Sequence, residues 1–259
     1  MRNFEFTYPS KLIFGVGTRF QAIEELKARG AKKVMIHFGG GSVIRSGLLG
    51  RLHELLDAAG IAYVDLGGVK PNPRLSMIRD GIALCREEKI DFILAVGGGS
   101  VIDSSKAIAI GTSNETDIWE LISSFAQVEK ALPIGVIVTL PATASETGSA
   151  FVISNEETQQ KLLNATAAAI PKFAILDPEL YLTIPKKTFG PAICDMMSHV
   201  MERYFTAESH TELTDGLCEA TMRNIIRNGR RLLRGENTVD VWSELAVSAN
   251  VAHNGMCGI

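Results

Sequence analysis

The sequence predicts a doubly wound parallel-sheet α/β domain followed by an incomplete all-helical domain. Three observations predict it. Short apolar runs alternate with helical patterns up to Pro185, the runs end in glycines, and no strand pattern follows Pro185. Val34, Met35, Ile36, His37 and Phe38 read as a buried strand that stops at Gly39-Gly40-Gly41. Val43, Ile44, Leu48, Leu49, Leu52, Leu55 and Leu56 then recur at three- and four-residue spacing, which makes one helix face. Residues 61–66 form a second strand closed by Gly67-Gly68, and 77–85 belong to a helix. Residues 92–96 form a third strand closed by Gly97-Gly98-Gly99, followed by a helix through Ile102, Ala107 and Ile110. Residues 134–140 make a fourth strand and 173–176 a shorter one. Strands separated by helices pair in parallel through right-handed crossovers, and their unbroken apolar character fits a sheet covered on both faces. Residues 193–205, 211–234 and 239–254 read as helices, so the domains are placed at 1–185 and 186–259.

Composition narrows the classes. A chain of 259 residues with 46% hydrophobic content can bury a sizeable core. A net charge of −3 lacks the basic excess of a nucleic-acid partner. No apolar run approaches the roughly 18 residues of a membrane span. Met1-Arg2-Asn3-Phe4-Glu5-Phe6 carries no signal-peptide pattern, so a cytoplasmic protein is expected. Cys85, Cys194, Cys218 and Cys257 form no C-x-x-C pair and are expected as reduced thiols.

Two strands run into nearly the same sequence, Gly39-Gly40-Gly41-Ser42 and Gly97-Gly98-Gly99-Ser100. Ligands of open parallel sheets sit at the carboxyl ends of strands. Glycines there let backbone approach a phosphate, and the next helix offers free N–H groups. Either turn alone is equally a plain strand–helix connection. Two in one sheet point to a nucleotide cleft. Neither matches G-x-G-x-x-G, whose last position holds Ile44 or Ile102, and there is no Walker A motif. Ser100 and Asp103 fit the S-x-x-D capping pattern and predict a helix start.

The string from Gly97 to Lys106, GGGSVIDSSK, resembles the G-G-G-S-x-x-D-x-x-K signature of iron-containing (group III) alcohol dehydrogenases. Pro71-Asn72-Pro73 is similar to that family's P-N-P turn, and Thr139-Leu140-Pro141-Ala142-Thr143-Ala144-Ser145-Glu146 to its T-x-P-A-T-x-S-E loop. Ala169-Ile170-Pro171-Lys172 through Leu176-Asp177-Pro178 resembles the exit from its nucleotide domain. The likeness spans the chain and is strongest to the NADPH-dependent butanol dehydrogenase/aldehyde reductase branch. It implies that Gly98, Gly99 and Ser100 hold a pyrophosphate with Asp103 close by, and that Asn72 meets the adenosine side. It implies that Thr139, Thr143 and Ser145 line ribose and nicotinamide and that Lys161 contacts cofactor. Without it, the three hydroxyls are ordinary turn and cap residues and Lys161 a solvated lysine. Cofactor choice has its own handle. An acid that would bond a ribose 2′-OH and repel a 2′-phosphate is missing after the first strand, where Gly39, Gly40, Gly41 and Ser42 stand. NADP(H) is therefore expected over NAD(H).

Asp195 and His199 are four apart and share a helix face, so both can reach one divalent metal. Such a pair is also a common surface ion pair. The resemblance makes them the first two metal ligands and the catalytic pair, with Fe²⁺ or Zn²⁺ as the ion. The metal then acts as a Lewis acid on an alcohol or aldehyde oxygen while hydride moves to or from nicotinamide. The family adds two later histidines, and His37, His53, His210 and His253 match neither position. A truncated chain with uncovered apolar helix faces is expected. Two alternatives stay open: an inactive nucleotide-binding chain, and an enzyme of the glycerol dehydrogenase/dehydroquinate synthase type, against which the Asp195/His199 pair argues. A homodimer through a strand at Phe4-Glu5-Phe6 is expected from the resemblance, an ordinary sheet-edge strand being the other reading.

Overall fold

The apolar runs become a sheet because both of its faces are covered. A computed structural model describes residues 6–258. In chain order the elements are β1 (Lys11–Phe14), α1 (Ala22–Ala28), β2 (Lys33–Phe38), α2 (Ser42–Arg45), α3 (Leu48–Ala59), β3 (Ala62–Leu66), α4 (Leu75–Glu87), β4 (Phe92–Gly97) and α5 (Gly99–Ser113). There follow α6 (Ile118–Ser123), β5 (Ile134–Val138), β6 (Ala150–Asn155), β7 (Gln160–Ala165), β8 (Phe173–Leu176), α7 (Phe189–Tyr204), α8 (Glu212–Leu233) and α9 (Val239–His253). Six strands pair in the order β1-β8-β5-β4-β2-β3, all parallel. The hairpin β6–β7 stands apart as an antiparallel pair.

Alternate strand residues feed two cores, as the period of two requires. Met35, Ile93, Ala95 and Val136 face α4 and α5, and that cluster continues into Phe189, Met196 and Trp242. Val34, Ile36, Leu94, Val96 and Ile137 face the side of α1 and α3. Burying one such side chain contributes about 1.5–3 kcal/mol, so neither face tolerates a polar run. Strands end before residue 185 and only helices follow, while the first core runs across that point without a break.

Four details differ from the sequence reading. The helix face at 43–56 is split at Ser46-Gly47, where Gly47 takes φ 76°. β5 ends at Val138, because Thr139 turns its N–H to the carbonyl of Gly97. β1 and the β6–β7 hairpin are additional. The S-x-x-D cap is absent. α5 starts at Gly99 with Gly98 as N-cap and no side-chain cap. Asp103 instead accepts hydrogen bonds from Ser145 and the Val152 N–H, which draw its carboxylate away from the helix end. Of the expected N-terminal strand, Phe4 and Glu5 lie outside the described residues, and Phe6 is exposed and outside any strand. No helix among the described residues is long and apolar enough to cross a membrane.

Candidate active site

The two glycine turns leave the carboxyl ends of the neighbouring inner strands β2 and β4. They open onto a cavity of about 790 Å³. Gly39, Gly40 and Ser42 line it from the first turn, Gly98, Gly99 and Ser100 from the second, and Thr139 from beyond β5. Leu180, Thr183, Ile184 and Pro185 also border it. Gly41 stands just outside, at φ 81°, a left-handed conformation that glycine adopts without strain. A Cβ on Gly99 would sit 2.8 Å from Thr143 Oγ1, so the second turn and the loop after β5 are in van der Waals contact only because Gly99 lacks one.

That loop is held from below by two residues of the signature, Asp103 and Lys106. Ser145 Oγ donates to Asp103 Oδ1 at 2.7 Å, and Val152 N–H donates to Asp103 Oδ2 at 3.0 Å. Lys106 Nζ donates to Ser145 Oγ at 2.9 Å and to the carbonyls of Gly148 and Ala150, each at 2.8 Å. Burial lowers the Lys106 ammonium to about 8, opposed by the carboxylates of Asp103 and Glu146. Burial likewise raises Asp103, with the charge of Lys106 pulling the other way. The side chains of Asp103 and Ser145 are thus bonded to each other and to the loop rather than presented to the cavity. Lys106 was legible as part of the signature, but its three bonds depend on a loop fold that spacing does not reveal. Asn72 accepts a 2.8 Å hydrogen bond from Lys161 Nζ, which ties the P-N-P turn to β7. Pro71 borders the cavity and Asn72 itself does not.

α7 carries Asp195 and His199 on one face, with Asp195 Oδ1 3.7 Å from His199 Nε2. His199 Nε2 is buried and has no hydrogen-bond partner. His253 of α9 stacks on the His199 ring at 4.4 Å with planes 13° apart. Its Nδ1 lies 3.1 Å from the carbonyl oxygen of Thr143. Contacts therefore run from Gly99 through Thr143 and His253 to His199. Burial lowers the His253 imidazole. Three residues before it, Asn250 donates to Glu146 Oε1 at 2.7 Å and Thr147 Oγ1 at 3.0 Å. Sequence reading set His253 aside as matching no metal-ligand position and missed Asn250. The i,i+3 spacing that puts both on one side of α9 was the available signal.

An unpartnered buried imidazole nitrogen beside a carboxylate suits a divalent cation such as Fe²⁺ or Zn²⁺. The donors fit, but they are two. Among the described residues no group of three or more His, Cys, Asp or Glu could hold a metal.

Sheet order, glycine turns and cleft define a nucleotide-binding α/β fold joined to a helical segment. The profile of the iron-containing alcohol dehydrogenase family matches residues 9–178. Probable NADH-dependent butanol dehydrogenase 1 of Bacillus subtilis is 43% identical over 256 residues, covering 99% of this chain and 66% of that protein. An NADPH-dependent aldehyde reductase of Escherichia coli is 33% identical over 262 residues, covering 100% of this chain and 66% of its own length. The crystal structure of NADH-dependent butanol dehydrogenase A from Thermotoga maritima superposes with a TM-score of 0.96 at 38% identity, covering 99% of this chain and 64% of that one. The chain belongs to the iron-containing alcohol dehydrogenase family. It spans about two thirds of the length of these relatives.

Proposed function

We propose that this chain supplies the nucleotide-binding part and two metal donors of an oxidoreductase that moves hydride between NADP(H) and a primary alcohol or aldehyde. The single observation that carries this is the line of contacts from the glycine turn at Gly99 to the buried, unpartnered Nε2 of His199. In this reading Gly98, Gly99 and Ser100 cradle the pyrophosphate, and Gly39, Gly40, Gly41 and Ser42 receive the adenosine half. Thr139 and Thr143 border the ribose and nicotinamide. Asn72 and Lys161 act as one unit, the lysine being oriented by the asparagine. Asp103 and Ser145 position the loop. A bound Fe²⁺ or Zn²⁺ would supply Lewis acidity toward the substrate oxygen. Asp195 and His199 would hold that ion, and His253 fixes the plane of the His199 ring.

The absence of an acid in the first glycine turn supports NADP(H) over NAD(H), although relatives of both habits are known by name. The divisions 1–185 and 186–259, a cytoplasmic location and a homodimer belong to the same reading. The test is reduction of butyraldehyde by NADPH, followed at 340 nm, for this 259-residue chain with and without Fe²⁺ or Zn²⁺, beside calorimetric titration of NADPH. NADPH binding with metal-dependent turnover is expected for the enzyme. Failure to bind any dinucleotide sinks the proposal. Binding without turnover supports the second reading, a nucleotide-binding chain without activity of its own, which the two-donor metal site favours.

A further inference from the structure

The four cysteines stand in different settings, and two of them meet. Cys85 is buried against Met35 Sδ at 3.5 Å, and Cys194 is exposed on α7. Cys218 of α8 and Cys257 of the turn after α9 are each 1% exposed and in contact, although 39 positions apart. The Cys218 thiol donates to the Cys257 carbonyl at 3.0 Å. Cys257 Sγ lies 3.5 Å from Thr221 Oγ1, one turn further along the same face of α8. Burial, and after it the neighbouring Cys257 thiol, push the Cys218 thiol up to about 11.

A buried thiol with no second thiol beside it serves as a small apolar side chain, and Cys85 fits that description. Cys218 and Cys257 differ because each has the other as a partner for oxidation. The backbone also gives one of them a way out. Cys257 lies beyond the last residue of α9, behind Gly255 at φ 94° and the exposed Met256. This turn is anchored by the Met256 N–H bond to Asn254 Oδ1 and by the Cys218 thiol. It therefore opens locally at lower free energy than the helices it follows.

We infer that Cys218 and Cys257 are a redox pair, which a small disulfide such as oxidised glutathione converts to an internal disulfide that staples the turn after α9 onto α8. In the open turn the Cys257 thiolate attacks one sulfur of oxidised glutathione and expels a glutathione thiolate, which takes up a proton. On reclosure the Cys218 thiolate attacks the Cys257 sulfur of the mixed disulfide and expels the second glutathione. One oxidised glutathione is thus reduced to two thiols while two cysteines become one disulfide. The raised Cys218 thiol makes the second step slow near neutral pH and faster as pH rises. α9 carries Asn250 and His253 to the loop after β5, so the staple fixes the helix that closes on the proposed site. The pairing itself is independent of what that site binds.

The test is incubation with oxidised glutathione at mildly alkaline pH, then denaturation, alkylation with N-ethylmaleimide and mass spectrometry. Cys194→Ser is used throughout, so that the exposed thiol does not link chains. The expected product is lighter by two hydrogens, carries no glutathione, and yields a peptide joining Cys218 to Cys257, with Cys85 still alkylated. Amide hydrogen exchange should slow across 252–257. The thermal midpoint should rise by several degrees and return with dithiothreitol. Cys257→Ser should lose all three effects while keeping the near-UV circular dichroism of its parent; should it misfold, the linked peptide of the parent still decides. Retention of both thiols overturns the inference. So does a glutathione adduct on Cys257 that never resolves, since Cys218 is then out of reach. A linked peptide with unchanged exchange and midpoint overturns the staple.

Discussion

A lysine with no exposed surface must have its ammonium donors met, and Lys106 has three acceptors within 2.9 Å. Lys106→Met keeps the volume and removes the donors, leaving Ser145 and two carbonyls without this partner and Asp103 without its main balancing charge. Stability is expected to fall by on the order of 3 kcal/mol in urea unfolding. NADPH affinity should fall with it, because the loop bearing Thr143 loses its anchor. An unaltered unfolding midpoint would show that the network is replaceable. His37 gives a pH signature. Its imidazole is buried between the Leu66 carbonyl and Ser104 Oγ, and burial lowers it to about 4 from 6.5. Between those values the unfolded chain takes up a proton that the folded chain refuses. The neutral ring's contribution is therefore complete above pH 6.5 and is lost progressively from 6.5 down to 4, by about 3 kcal/mol in all. His37→Phe should flatten the slope of unfolding free energy across that window. An identical slope in the variant would assign the pH dependence elsewhere.

At the scale of elements, helix and strand contacts depend on glycines that the apolar pattern alone does not explain. A Cβ on Gly135 of β5 would meet the Phe173 ring of β8 at 2.2 Å. That ring cannot step aside, being stacked on Phe92 and covered by Arg29. Gly135→Ala is expected to cost about 1–3 kcal/mol by overpacking, read as a lower midpoint in chemical denaturation. No change would mean that β5 and β8 can separate without penalty. The elements read correctly from sequence are those that carry an apolar run or stripe, namely β2, β3, β4, β8, α4, α5 and the three C-terminal helices. β6 and β7 escaped notice for a physical reason. Phe151 and Ile153 point into the core in alternation, but β7 reads Gln160-Lys161-Leu162-Leu163-Asn164-Ala165 with little periodicity. The connecting turn holds Gln159 at φ 55° without the glycine that normally marks a hairpin. β1 has four residues, of which both ends are exposed, so it carries almost no apolar signal. The candidate site was legible where its residues are close in sequence, as in the glycine turns and Asp195/His199. It was not legible where α9 reaches back to the loop, because Asn250 and Glu146 are 104 residues apart.

At the scale of the molecule the question is whether the α/β part and the helices unfold together. One hydrophobic cluster includes Val138 of the sheet, Met196 of α7 and Trp242 of α9. Asn250 joins α9 to Glu146 and Thr147, Tyr8 donates to Asn250 Oδ1, and Asn237 donates to the Leu182 carbonyl. A continuous core and side-chain bonds of this kind couple the parts more tightly than a hinge between separate domains would. Thermal unfolding should therefore follow one transition by both near-UV and far-UV circular dichroism. Dinucleotide touches only the α/β part in the proposed site, yet its stabilisation should be felt by the whole. NADPH at 100 times its dissociation constant should add about 2.7 kcal/mol to that single transition. Asn250→Ala should uncouple it, because Glu146 then keeps a buried carboxylate without its amide partner. In that variant a second, lower transition from the helices is expected, unmoved by NADPH. Two transitions in the unaltered chain, with only one shifted by NADPH, would show instead that the helices fold independently of the sheet.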